Sequence, residues 1–342
     1  MATTASGREY NVLVGKQDAD VLALGGDGDI AATDFVDDSP YFMRLSDVSG
    51  INYDDAFTTA TVKRSGRRAY EDGDLIRHYG SGTWTWDFDY LVENNAILET
   101  LVSLATGVAD TTGTITINSA AHDAFENLSH GQNSVDNVGI IMLEAGTSNT
   151  GLDADDTCMH SAVLQNLTLA MDMGTDGGRL HASGQFMSGY KPLIDNHGVT
   201  GVTTASDWEK GLFDFTTLTL GGHAVTVRAF TMTITNEANR VGWQGTSAEA
   251  DGYMRAGTFD ISGSITVKYD ANMADALSTD WIANTAYAIA LNDGSNWDIS
   301  IPSARMTGHN IDFADEGMFV EIPWTATTGA AASGNLAVLK VN

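Results

Sequence analysis

Between residues 259 and 269 the chain alternates without a break. Phe259, Ile261, Ile265, Val267 and Tyr269 fall on one parity with Gly263 among them, and Asp260, Ser262, Ser264, Thr266 and Lys268 fall on the other. Successive side chains of a strand point to opposite faces, so this period of two specifies a long strand with one face on a core and one on water. Met273, Leu277 and Trp281 then recur every four residues, which is one stripe of a short helix. The unit is a half-wetted strand running directly into a helix that covers part of its sheet.

The same unit stands in the first half. Trp84, Trp86, Phe88 and Tyr90 alternate with Thr83, Thr85, Asp87 and Asp89, and a helical pattern follows through Leu98, Leu101, Val102 and Ala105. At one constant offset Trp86, Phe88 and Tyr90 meet Ile265, Val267 and Tyr269, while Leu98 and Val102 meet Leu277 and Trp281. Few identities support the overlay. The shared pattern reads as an internal duplication.

A chain of 342 residues has room for two domains, or one large β domain, with proper cores. No stretch is apolar for long enough to cross a membrane as a helix, and the opening MATTASGREYNVL has no apolar segment of the kind a secretion signal needs. One cysteine, Cys158, excludes an internal disulfide framework. Seventeen basic residues against 45 acidic ones leave a formal charge of −28. Such a surface repels nucleic acid and anionic membranes. It suits either a salty environment or a face that must pass a polyanion without holding it.

Residues 1–40 mix Asp, Gly and Ala with little period and read as an arm or loop. Gly25-Gly26-Asp27-Gly28-Asp29 has a brief likeness to a calcium repeat, but Ile30 follows and no second copy does, so a turn is the expectation. Strands are expected near 41–48, 57–62, 113–118 and 137–144. Residues 64–74 form a polar loop that starts basic (Arg64, Arg67, Arg68) and ends acidic (Glu71, Asp72). Residues 162–173 are a firm strand, with Leu167, Leu169, Met171 and Met173 on one side and Asn166, Thr168 and Asp172 on the other. Thr175-Asp176-Gly177-Gly178 turns it back into 179–187 as a hairpin. Residues 189–213 have the composition of a connector. Beyond it lie hairpins at 216–235, 286–301 and 306–325 and a closing strand at 336–341, interrupted by a Gly/Ala/Asn-rich insert at 236–253 that holds Trp243. The expected organisation is an arm (1–40), a first domain (41–188), a connector (189–213) and a second domain (214–342).

No nucleophile has a base in supporting context. Cys158 follows a run of Asp and reads as an idle buried thiol. The eight His share no helix face or strand parity at ligand spacing, and there is no Gly-rich phosphate loop and no CxxC. Acid pairs such as Asp37-Asp38, Asp54-Asp55 and Asp155-Asp156 suit either calcium or water. The chain is read as a non-enzyme with no cofactor and no metal.

Residues 230–269 resemble the signature of the tail tube proteins of long-tailed (siphovirus-like) phages: a strand ending in Asn (FTMTITN), a polar insert, then GTFDISGSITVKYD and a helix. NWDISIPSARMTGHNIDF, MFVEIPWTA and LAVLKVN resemble the closing strands of that family in order and spacing. TWTWDFDYLVENNAILETLVSLATG resembles its earlier strand–helix unit, and AVLQNLTLAMDMGTDGGRLHASGQFMS its central hairpin. The likeness covers roughly three quarters of the chain and is closest over 214–342. The 236–253 insert, the 108–157 region and the acidity depart from it.

The resemblance implies a mainly β fold of two tandem tube-like β-sandwich or split-barrel domains, each flanked by a short helix. It implies a virion protein that assembles with itself into stacked rings, a trimeric pseudo-sixfold ring or a hexamer. The partners implied are a tape-measure protein, a tail terminator and baseplate proteins, with DNA only in transit. On that reading Thr83, Thr85, Asp87, Asp89, Asp260, Ser262, Ser264 and Thr266 face the lumen. Arg64, Arg67, Arg68, Glu71, Asp72 and Trp243 become candidates for contacts between subunits. Another self-assembling β protein (a secretion-system tube, spike or surface-layer subunit) and a calcium- or glycan-binding β-sandwich stay open as alternatives.

Overall fold

The structure is a computed structural model that describes residues 10–18, 30–36, 40–45, 52–54, 57–61, 75–79, 83–108, 113–118, 128–129, 138–145, 156–190, 192–195, 199, 202, 208–242, 250–255, 257, 259–277, 282–314, 317–329 and 334–342. Among them the first-half strands are β1 (Tyr10–Lys16), β2 (Tyr41–Met43), β3 (Asn52–Asp54), β4 (Phe57–Thr61), β5 (Leu75–Tyr79), β6 (Thr83–Leu91), β7 (Thr114–Asn118), β8 (Leu128–Ser129) and β9 (Gly139–Ala145). The central strands are β10 (Asp156–Asp172), β11 (His181–Ser188) and β12 (Leu193–Asp195). The later ones are β13 (Thr217–Leu220), β14 (His223–Ala224), β15 (Val227–Thr235), β16 (Ala238–Val241), β17 (Gly252–Arg255), β18 (Asp260–Lys268), β19 (Tyr287–Asn292), β20 (Trp297–Met306), β21 (Asn310–Ala314), β22 (Gly317–Ala326) and β23 (Asn335–Val341). Two α-helices join them, α1 (Asn95–Thr106) and α2 (Ala271–Ala276).

Both alternating stretches form the strands their period specifies, and both run into a helix through a side-chain cap. Ala96 N donates to Asn94 Oδ1 at 2.9 Å before α1, and Met273 N donates to Asp270 Oδ1 at 3.0 Å before α2. Such caps satisfy N–H groups that the first helical turn leaves without partners. Gly107, at φ 68°, ends α1 with its N–H on Ser103 O. α2 is shorter than the stripe to Trp281 suggests: Met273 and Leu277 are buried, and Trp281 lies outside the described residues. α1 is buried nearly all round, Ile97 and Leu104 as well as the expected Leu98, Leu101, Val102 and Ala105, because it packs against β10 and β1 at once.

One antiparallel sheet runs β3–β6–β11–β10–β15–β18–β22–β21. It carries both strand–helix units, and β10 and β15, one before and one after residues 189–213, pair directly from Asn166↔Thr235 to Asp172↔Ala229. A second sheet runs β2–β1–β9–β10–β12. A third runs β14–β13–β19–β20–β23–β7, so the last strand of the chain pairs with one from the first half, and β20 also pairs with β22 from Ala304↔Ala326 to Met306↔Trp324, which joins this sheet to the long one. β10 belongs to two sheets because it bends at Ser161, whose φ is 49° and where its register against β9 shifts.

Two stretches differ from the sequence reading. Residues 10–16, expected within an arm, form β1, with Val12, Leu13 and Val14 buried between β2 and β9. Their apolar run is too short to stand out from the Asp- and Gly-rich surroundings. The 236–253 insert contains β16 and β17, which pair with β8 from the 108–157 region. The 108–157 region and the 236–253 insert are therefore partners in one small sheet.

The connector is pinned at its far end. Trp208 stacks edge-on to Trp297 at 5.4 Å, its Nε1 donates to Asn342 O at 3.2 Å, and its N–H donates to Glu93 O at 3.1 Å. Lys210 Nζ lies 3.7 Å from Asp293 Oδ2, while Asp293 Oδ1 accepts from Ser295 N at 2.7 Å and Asn296 N at 2.8 Å. Burial alone raises the Asp293 carboxyl, but the backbone N–H bonds and Lys210 outweigh it and hold the group below its ordinary 3.8. A depressed folded pKa contributes stability that is present above the unfolded value and lost as pH falls through the folded one. The Asp293→Asn variant is thus expected to lose melting temperature at pH 7 and to show a flatter decline below about pH 4. Thermal melts of both proteins from pH 7 to pH 2 check it.

Candidate functional site

The long sheet has two unlike faces. On one, Trp86, Phe88 and Tyr90 of β6, Phe186 of β11, Leu167, Leu169 and Met171 of β10, Phe230, Met232 and Ile234 of β15, Ile261, Ile265 and Val267 of β18, and Val320, Ile322 and Trp324 of β22 are all buried. Trp86, Phe88 and Phe186 cluster at centroid distances of 5.6–6.1 Å, and Phe230 stacks on Trp324 at 6.1 Å. Two glycines on this face lie opposite aromatics in register, Gly184 against Phe88 and Gly263 against Trp324.

Polar rows cross the other face at right angles to the strands. One row reads Asp89, Ser183, Thr168, Thr233, Ser262, Thr325. At strand spacing those six positions span about 24 Å. The row on one side reads Asp87, Gln185, Asn166, Thr235, Asp260. On the other side come Leu91, His181, Ala170, Thr231, Ser264 and Pro323, and then Asp172, Ala229, Thr266, Glu321 and Asn310. Register of this kind is set by the buried face, since a one-residue slip would turn the aromatics outward.

Hydrogen bonds tie the rows together. Gln185 Nε2 donates to Asp87 Oδ1 at 2.7 Å, the Thr168 and Thr233 hydroxyls are 3.0 Å apart, and Ser264 N donates to Thr231 Oγ1 at 2.9 Å. His181 Nδ1 lies 3.5 Å from Asp89 Oδ1. These are cross-strand pairs that hold hydroxyl and amide groups in place without closing a pocket. At one end a bulge in β15 adds Arg228 between Val227 and Ala229, and its guanidinium carbon sits 5.0 Å over the Phe319 ring.

All eight lumen candidates belong to this one face: Thr83, Thr85, Asp87 and Asp89 on β6, and Asp260, Ser262, Ser264 and Thr266 on β18. Sequence reading placed the two sets in separate halves. The structure brings them to one side of one sheet, with β11, β10 and β15 between them. Thr231, Thr233, Glu321 and Thr325 were not singled out, although parity marks each as opposite to a buried neighbour, and Ser183 and Gln185 were not singled out because their stretch shows no period. Arg64, Arg67, Arg68, Glu71, Asp72 and Trp243 lie outside the described residues.

The chemistry of the described residues is that of a surface. No three His, Cys, Asp or Glu side chains among them stand close enough to hold a metal ion. Cys158 is buried, and burial raises its thiol far above the range in which a thiolate forms. No helix among them is long and apolar enough to cross a membrane.

A mainly β protein whose longest sheet buries one face and offers a hydroxyl- and carboxylate-rich other face is a structural β protein. A family model described as phage tail tube protein matches residues 54–326, and the chain belongs to that family. It is a structural component of the phage tail, located in the virion. No curated protein matches the chain.

Proposed function

We propose that this chain is the major tail tube subunit, that it assembles with itself into stacked rings, and that the polar face of the long sheet lines the bore through which DNA is ejected. The observation that carries the reading is the continuity of that face across both halves of the chain. The carboxylates repel phosphate and the neutral hydroxyls and amides add no charge to hold it, so a polyanion slides along them.

The sheet also has open ends suited to closing a ring. Among the described residues β3 pairs only with β6 and β21 only with β22, while the far end of β22 continues into β20. Ile311 of β21 and Met318 of β22 are exposed although Val320, the register partner of Ile311 and two residues on from Met318 along β22, is buried. A head-to-tail contact between the β21 end of one copy and the β3 end of the next removes both edges, and such contacts form a ring when the rotation closes. With the halves read as duplicates, 41–188 and 214–342 about the connector 189–213, three copies make a pseudo-sixfold ring. Residues 64–74, the arm and the 236–253 insert are then candidates for contacts between rings. A tape-measure protein, a tail terminator and baseplate proteins complete the assembly.

Negative-stain electron microscopy of the purified chain across a salt series tests the proposal. The expected result is hollow stacked rings whose averages show threefold or pseudo-sixfold symmetry. Flat sheets or solid fibres at every salt concentration would overturn it.

A further inference from the structure

Four of the seven large apolar side chains exposed among the described residues fall in two pairs. Met173 and Phe213 stand at one end of the β10–β15 ladder, and Val241 and Met254 lie beyond the other.

The first pair is held outward by its own surroundings. Leu212 and Phe215 are buried on either side of Phe213, Phe215 stacks on Trp297 at 5.7 Å, and Gly211 N donates to Asp214 Oδ2 at 2.9 Å. The turn is fixed, yet Phe213 is 56% exposed. A methyl group on Gly211 would come within 2.8 Å of Phe213 Cε1 and overlap the Gly178 carbonyl oxygen, and one on Gly178 would come within 2.5 Å of Met173 Sδ. The ring and the thioether thus lie against two adjoining glycines and form one platform.

The second pair shares the outer face of the small sheet. Tyr253 turns inward, where its hydroxyl meets Ser161 O and Gly189 N, so Met254 turns outward. Met254 pairs with Asn239 and Gly252 with Val241, which puts Val241 on the same face as a diagonal neighbour of Met254. With no side chain on Gly252, a notch is left beside Val241. Asn236 N donates to Gln165 O at 2.8 Å and Gln165 Nε2 donates to Ala238 O, which ties this sheet to the Gln165 end of β10. From there to Met173 is eight residues, about 27 Å of strand.

We infer that the Phe213/Met173 platform of one copy docks on the Val241/Met254 face of a second copy in the adjoining ring. The inference rests on the tube reading above. Area identifies the occupant. At their exposures the four side chains offer roughly 300 Å² in all, against the about 1,200–2,000 Å² that a stable pair buries. Two copies alone do not hold by this contact. Repeated three to six times around a ring it reaches about 900–1,800 Å², the range of a specific interface. Every copy carries both patches at opposite ends of one ladder, the arrangement a head-to-tail stack requires. Because the contact is apolar and joins chains of charge −28, it strengthens as salt screens their repulsion.

Cysteine trapping in the full-length chain tests it, in assembled tubes under air oxidation. The Met173→Cys/Val241→Cys variant keeps Phe213 and Met254. It is expected to give a ladder of covalent multimers on a non-reducing gel, while each single variant runs as a monomer. Within one copy the two positions are too far apart for a disulfide, whose Cα atoms lie about 4.4–6.8 Å apart, and the native Cys158 is buried. Phe213→Asp is expected to leave rings that fail to stack, with an unchanged melting temperature, and wild-type tubes to lengthen as sodium sulfate rises. Double-cysteine tubes without a ladder, Phe213→Asp tubes of wild-type length, or wild-type tubes that shorten as sulfate rises overturn the docking and leave the tube reading intact. A wild-type chain that never forms rings overturns both.

Discussion

Gly263→Ala is expected to destabilise the chain by about 1–3 kcal/mol, the range for overfilling a packed core. The residue lies mid-strand in β18 on the buried face, between Met232 of β15 and Trp324 of β22. A methyl group at this position would overlap the carbonyl oxygen of Thr231 and come within 2.8 Å of Trp324 Cζ2. The first obstacle is backbone held by the β15–β18 ladder, and it cannot rotate aside as a side chain would. Shrinking the indole therefore does not rescue the variant: Gly263→Ala should cost as much in a Trp324→Phe background as it does in the wild type. Thermal melts of the four proteins decide this, with Ser262→Ala on the opposite face as the control. A Gly263→Ala protein that melts like wild type would show that β18 and β15 do not approach as described.

Gly184 makes the same argument in the first half. A methyl there would overlap the Asn166 carbonyl and come within 3.2 Å of the Phe88 ring. In both halves an aromatic covers the gap that a glycine leaves, a pairing that pins strand register. Gly263 was visible in the sequence because it broke an otherwise apolar parity. Gly184 was not, because HASGQFM lacks enough apolar residues to show a period.

That contrast marks what can be read without coordinates. Strands with one wet face announce themselves through parity, and β6, β10, β18 and β22 were all legible for that reason. The two helices were legible from their four-residue stripes, and the central hairpin from its Asp-Gly turn. β1 was not, since a strand buried on both sides has no alternation to show. Nor could parity say which strands neighbour each other. The β10–β15 pairing that brings Asp89 and Ser262 into one polar row depends on contacts between residues 57 to 69 positions apart. The lumen candidates were thus each assigned to the polar side of a strand from local pattern, while their union on a single face is a property of topology.

Tyr253→Phe is expected to cost on the order of 2–4 kcal/mol, because one hydroxyl there serves two buried backbone groups. Tyr253 lies in β17, within the 236–253 insert. Its hydroxyl donates to Ser161 O at 2.6 Å and accepts from Gly189 N at 2.9 Å. Burial pushes that phenol up to about 12, so it remains a donor throughout the physiological range. Ser161 is the left-handed residue at which β10 leaves one sheet for the other, and its own N–H donates to Gln17 Oε1 at 2.7 Å. A side chain from each half of the chain thereby holds one polar group of the bend: Gln17 the N–H, Tyr253 the carbonyl. A non-glycine residue at positive φ is strained and persists only where its surroundings fix it. Removing the hydroxyl leaves the ring to fill its space but strands the Ser161 carbonyl and the Gly189 N–H away from water. The loss should appear as a lower melting temperature and as faster amide exchange in β10 around the bend, with β18 and β22 little changed. An insert that were mere surface decoration would tolerate Tyr253→Phe with no change in either measurement.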